Sequence, residues 1–222
     1  MAVGSAFQAA LGMGMALLVV PVLALVDPRF IPGPMLLAGS VLAAMTAYQD
    51  RDAIDTRGLA TSVVGMAGGT LIGAAALHFV HGRNVGHLFG YAILAAVLVS
   101  VLGVPVVPNR RSLILGGGAA GVMGTMSGIH GPAIALIFQK AEPKVARAML
   151  GAFFTIAYLG SVTALAAFGL FGRADLMRSL VLLPGVAIGL IVAPIPRRLV
   201  DRRHLRMAIL AVAAVSGVVL AL

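Results

Sequence analysis

Between residues 124 and 132 the chain reads GTMSGIHGP, and there the side chains able to do chemistry lie closest together. Thr125 and Ser127 bring hydroxyls and His130 an imidazole, while Gly124, Gly128, Gly131 and Pro132 are residue types that interrupt a helix. Proline suits the first turn of a helix and glycine the turn before it. The spacing therefore predicts one helix stopping here and a second starting near Pro132. The unsatisfied N–H groups of that second start sit at the positive end of the helix dipole and, with the hydroxyls, would form a cradle for a small oxyanion. The same residues also fit a glycine-rich packing kink, in which the polar side chains satisfy backbone groups set free by the break.

His130 adds a second chemistry, because an ionisable side chain deep in an apolar segment is a functional candidate by default. It can donate to an anion, titrate near neutral pH and couple anion movement to protons, or sit neutral on backbone carbonyls at the break. His78, His81, His87 and His204 fall at segment ends, as interfacial residues would. A weaker counterpart of the cradle lies near the N-terminus, where Gln8, Gly12, Gly14 and Pro21, with Ser5, supply a candidate second half of the cavity. Ser40, Thr46, Tyr48, Thr155, Tyr158 and Ser161 are spaced to line helix faces. Hydroxyls in membrane helices commonly bond their own backbone, so each is expected to be structural.

Eight apolar segments must position these groups: 2–26, 31–48, 58–80, 86–104, 113–138, 145–171, 176–194 and 205–222. Backbone inside a bilayer has to satisfy its own hydrogen bonds, so each is expected to be helical, with the first and fifth broken. Gly65, Gly69 and Gly73 form a small-residue ridge at intervals of four, and Gly185 and Gly189 repeat part of it; both read as helix-packing devices. The chain also repeats itself. AILAAVLVS at 92–100 returns as AILAVAAVS at 208–216, an offset of 116 that also superposes Gly69 on Gly185 and Gly73 on Gly189. Earlier in each half the match loosens, with Pro28 and Pro143 115 apart and Pro21 and Pro132 111 apart. The expected organisation is an N-terminal membrane repeat, 1–107, and a C-terminal one, 108–222.

Composition narrows the class. A chain of 222 residues that is 60% hydrophobic and 10% charged, with mean hydropathy +1.06, carries more apolar surface than one soluble core can hide. It reads as an all-α polytopic membrane protein whose partner is the lipid bilayer. The net charge of +9 comes from Lys and Arg in short links between apolar segments, where they set orientation, so no nucleic-acid partner is expected. Segment 2–26 has no Lys or Arg before Arg29 and is read as mature protein, not a signal peptide. With no cysteine, thiolate metal sites and cysteine nucleophiles are excluded, and neither metal nor cofactor is expected. Asp50, Asp52, Asp55, Glu142 and Asp201 all fall in charged links, and enzyme signatures are absent.

The basic residues also bear on topology. If the first and fifth segments dip in and return, twelve of the sixteen Lys and Arg residues share one side; if all eight cross, the split is ten to six. The positive-inside rule favours the first arrangement. Three full crossings per repeat would then invert the second repeat relative to the first, with both termini outside. Eight full crossings with a parallel duplication remain the alternative.

The two halves, each opening with a Gly-rich apolar segment that runs into proline (GMGMALLVVP at 12–21, GTMSGIHGP at 124–132), resemble the TauE/SafE sulfite-exporter-like permeases over nearly the whole chain. The resemblance implies a multi-pass protein of the bacterial cytoplasmic membrane whose substrate is a small sulfur-containing or organic anion. It carries over Gly12, Gly14, Pro21, Gly124, Gly128, Gly131 and Pro132 as pore-region backbone positions. Thr125, Ser127, His130 and Gln8 rest on local chemistry alone. The function expected is a secondary permease, against a passive anion channel or a non-transporting membrane scaffold. Direction, coupling ion and oligomeric state are not readable.

Overall fold

The computed structural model describes residues 1–11, 15–79, 84–102, 106–193 and four positions between 211 and 218. Among the described residues the helices are α1 (Ala2–Leu11), α2 (Met15–Val26), α3 (Gly33–Gln49), α4 (Thr56–Phe79), α5 (Asn84–Leu102), α6 (Arg110–Ser127), α7 (Gly131–Phe138), α8 (Pro143–Ala167) and α9 (Arg173–Val192). Short 3-10 turns occupy Pro28–Phe30 and Arg51–Ala53, and no strand occurs among these residues. Helices α4, α8 and α9 are each long and apolar enough to cross a membrane. The eighth predicted segment lies largely outside the described residues.

Helix starts reach further into the charged links than hydropathy predicts, because capping recruits them. Asn109 accepts from the Ser112 N–H at 2.9 Å while Ser112 Oγ accepts from the Asn109 N–H, a reciprocal cap that draws Arg110 and Arg111 into the first turn of α6. Asp175 does the same for α9 by accepting from the Gly172 N–H at 2.9 Å.

The glycine ridge on α4 packs against α6 with backbones nearly in contact. A Cβ on Gly65 or Gly69 would run into the carbonyls of Ile114 or Gly118, and Gly117 and Gly121 answer from α6 against Ser62 and Met66. Because contacts advance together along both helices, α4 and α6 run parallel. Gly185 and Gly189 set α9 against α1 in the same way, meeting Met1 and Ala2, then Ser5 and Ala6. Helix α3 crosses α8 in the opposite direction, with Gly151 against Ala43 and Ala47, and Gly39 against Tyr158.

Both broken segments fold back on themselves. Gly116 of α6 touches Ala133 and Ile137 of α7, and Gly4 of α1 touches Met15 and Val19 of α2. At one end of the bundle α4 and α8 begin, held by Asp50–Arg147 (2.9 Å) and Asp52–Lys144 ion pairs, and α6 begins beside α4. Segment five thus enters and leaves at the same end. At the other end Asp27, Arg29 and Arg178 come together, Gly33 meets Phe171, and the Phe168 carbonyl bonds the His78 ring at 3.2 Å. The Arg29 guanidinium holds the Asp27 carboxyl below the usual carboxylate range. Helices α4, α6 and α8 therefore run one way and α1, α3 and α9 the other. Val64, Ile72, Leu115, Val181 and Ile191 are exposed, the outward apolar surface that lipid would cover.

Candidate functional site

Helix α6 ends at Ser127 because Gly128 takes a left-handed conformation (φ 83°) that a side chain resists, with its N–H bonded to the Gly124 carbonyl at 2.7 Å. Helix α7 then starts at Gly131 with Pro132 in its first turn, and no side chain caps it. The break lies where the residue pattern predicts. Ser127 serves the break itself: its hydroxyl donates to the Met123 carbonyl (2.7 Å) and accepts from the Ile129 N–H (3.3 Å). It is spent on backbone, so the cradle takes no free hydroxyl from it.

His130 occupies the N-cap position of α7 but turns its ring back over α6. That is possible because residue 124 is glycine; a Cβ there would collide with the imidazole. The ring's Nε2 lies 3.1 Å from Ser161 Oγ on α8, and Ser161 Oγ lies 2.8 Å from Thr125 Oγ1. All three residues have 0% exposure. The Tyr158 ring meets the imidazole edge to face at 5.1 Å between centroids and stacks on Phe154 at 5.7 Å on its other flank. Nδ1 of His130 has no hydrogen-bond partner. A hydroxyl chain running Thr125 to Ser161 to Nε2 would put the ring's proton on Nδ1, leaving a free donor in a buried position.

The N-terminal hairpin approaches the same aromatic group. Gln8 of α1, 2% exposed, comes against the Tyr158 hydroxyl, and its Nε2 has no partner. Ser5 donates to Met15 Sδ at 3.7 Å, and the Met15 methyl packs where Gly39 faces Tyr158. Pro21 is buried inside α2, next to Val20, whose side chain closes over Gly128. Gly12 and Gly14 lie outside the described residues. So the structure brings Gly124, Thr125, Gly128, His130, Gly131 and Pro132 into one break and sets Gln8 against Tyr158, while Pro21 is buried within α2.

Ser161 and Tyr158, expected to be structural, make their contacts across helices. Ser161 is the hub between Thr125 and His130, and Tyr158 stands between His130 and Gln8. The hydroxyls of Ser40, Thr46, Thr155 and Ser179 do bond carbonyls three or four residues back on their own helices. Ser161 and Thr125 are therefore set apart by bonding across helices. Among the described residues no group of three His, Asp or Glu side chains comes together to hold a metal.

A helical membrane protein with a fully buried polar cluster at a broken helix has the makings of a transporter. The family model described as Sulfite exporter TauE/SafE matches residues 1–220, and the chain belongs to that family. It is thereby a membrane protein of an anion-exporter type, as the resemblance implied. No curated protein and no solved structure matches the chain significantly.

Proposed function

We propose that the protein is a secondary permease for a small sulfur-containing or organic anion of the bacterial cytoplasmic membrane, and that the anion binds at the α6–α7 break beside His130. The observation that carries this reading is a pair of buried nitrogens without a hydrogen-bond partner, His130 Nδ1 and Gln8 Nε2, both on residues that meet Tyr158. Leaving a buried polar atom unpaired costs about 1–3 kcal/mol, so two such atoms beside one aromatic ring fit a site that a ligand completes.

The architecture supports the mechanism. Segments one and five read as re-entrant hairpins, and the repeats 1–107 and 108–222 as inverted copies: α1 and α6, α3 and α8, and α4 and α9 run in opposite directions. Packing recurs as well. Gly73 lies against Thr125 on α6, and Gly189, its partner at offset 116, lies against Ser5 on α1. Rocking one repeat against the other would expose the site to each side in turn.

Purified protein in proteoliposomes tests this directly. Saturable, counterflow-competent uptake of bisulfite or of a short monocarboxylate, lost in His130→Ala, is the expected result. Non-saturable flux without counterflow would make it a channel, and no flux for any of these anions would remove the permease reading.

A further inference from the structure

We infer that the site takes its anion with a single negative charge and discriminates against dianions, a conclusion that rests on the permease reading above. The polar side chains buried among the described residues are Ser, Thr, Gln, Tyr and one His, with no Lys, Arg, Asp or Glu. The cations of this region stand at the helix ends, as in the Asp50–Arg147 and Asp175–Arg178 pairs. Most buried hydroxyls are spent on their own helices, and those of Thr125 and Ser161 are bonded to each other and to Nε2. What remains for a ligand beside Tyr158 is the Gln8 amide Nε2 and His130 Nδ1, an N–H donor when Ser161 donates to Nε2.

The cost of moving an ion out of water grows with the square of its charge, whereas attraction to neutral dipoles grows only in proportion to it. Two dipolar donors with no fixed cation can offset one charge far better than two. A guanidinium, the group that suits dianionic oxyanions, is absent from the buried set. No protein titration is required for this selection. Tyr158, from α8, is the only titratable side chain described against the imidazole; α6 presents Gly124, and Val20 of α2 and Met35 of α3 meet Gly128 beside it.

The test compares methanesulfonate, a monoanion throughout the working range, with methylphosphonate, of the same shape but singly charged near pH 6 and doubly charged near pH 9. Thermal stabilisation of the full chain in detergent reports apparent affinity for each. Methanesulfonate should bind equally at both pH values, and methylphosphonate should weaken by roughly tenfold or more on going to the higher one. Equal binding of methylphosphonate at both pH values overturns charge selection and leaves the permease reading standing. A parallel fall for methanesulfonate also overturns it, by tracing the change to the protein. If neither compound binds at either pH, the permease site and this inference fail together.

Discussion

Removing Ser161 Oγ is the sharpest way to ask whether Thr125, Ser161 and His130 work as a unit. In Ser161→Ala both neighbours lose a bond, at 2.8 and 3.1 Å, inside a fully enclosed site. Thr125 has another partner available. Thr46, Thr155 and Thr163 each donate to the carbonyl four residues back, and Thr125 can turn to the Gly121 carbonyl likewise. His130 has no such exit. Gly124 closes one face of its ring, Tyr158 lies against it, and Nδ1 is already unpartnered. Orphaning a buried polar atom costs about 1–3 kcal/mol, while side-chain hydrogen bonds measured in membrane proteins average about 0.6 and reach about 1.7 kcal/mol. Together these put the loss in Ser161→Ala at about 1–2 kcal/mol.

Thr125→Val, which removes one bond and keeps the shape, should cost about 0.5–1 kcal/mol. Because the Thr125 bond passes through Ser161, the double variant should be less destabilised than the sum of the singles by about 0.5–1 kcal/mol. Denaturant unfolding of the detergent-solubilised protein measures the cycle, and anion flux in proteoliposomes is followed alongside. Additivity within about 0.3 kcal/mol, together with unchanged flux, would refute the claim that these residues form one site.

Three further outcomes follow from the packing. Gly65→Ala should destabilise the protein by roughly 2 kcal/mol or more, because its Cβ meets the Ile114 backbone, whereas Gly68→Ala, facing open space, should stabilise it by up to about 1 kcal/mol; paired unfolding curves check both. Gly124→Ala should drive the imidazole off α6 and abolish anion binding in a thermal-shift assay, while Gly118→Ala, with its nearest described neighbour 3.5 Å away, leaves binding intact. Single cysteines replacing Arg110 and Lys140 should label from one side of the membrane and those replacing Arg29 and Arg173 from the other; labelling of 110 and 140 from opposite sides would rule out a re-entrant fifth segment.

The break at Gly128 was legible in the sequence because helix-breaking residues are rare in apolar segments and their effect is local. Gly131 and Pro132 announce a helix start wherever they occur after such a stop. The glycine ridge on α4 was equally legible as a packing surface, though nothing in its spacing said that α6 would be the partner. Ser161 was not legible. In sequence it has the surroundings of Ser40, a hydroxyl between glycine and valine within a long apolar helix, and Ser40 does bond its own backbone, at 2.7 Å. Only the crossing of α8 over the end of α6 turns one of the two hydroxyls outward to a neighbour, and that crossing is set by distant contacts such as Gly151 on Ala43.

The internal repeat hides the site for a related reason. An offset of 116 pairs Gly69 with Gly185 and Gly73 with Gly189; Gly69, Gly73 and Gly189 are held to glycine by backbone packed against them, and Gly185 by the Met1 side chain. On the other side of that contact Thr125 and Ser5 occupy matching places, yet they stand 120 apart and carry different chemistry. Thr125 bonds the hydroxyl of α8, while Ser5 bonds the sulfur of Met15 within its own hairpin. Close packing tolerates one residue type, so it preserves a repeat signal; a site that needs a donor chain in one half and a single amide in the other must erase it. On the proposed reading the best-matched parts of the two halves are scaffold, and the site lies where the match is poorest.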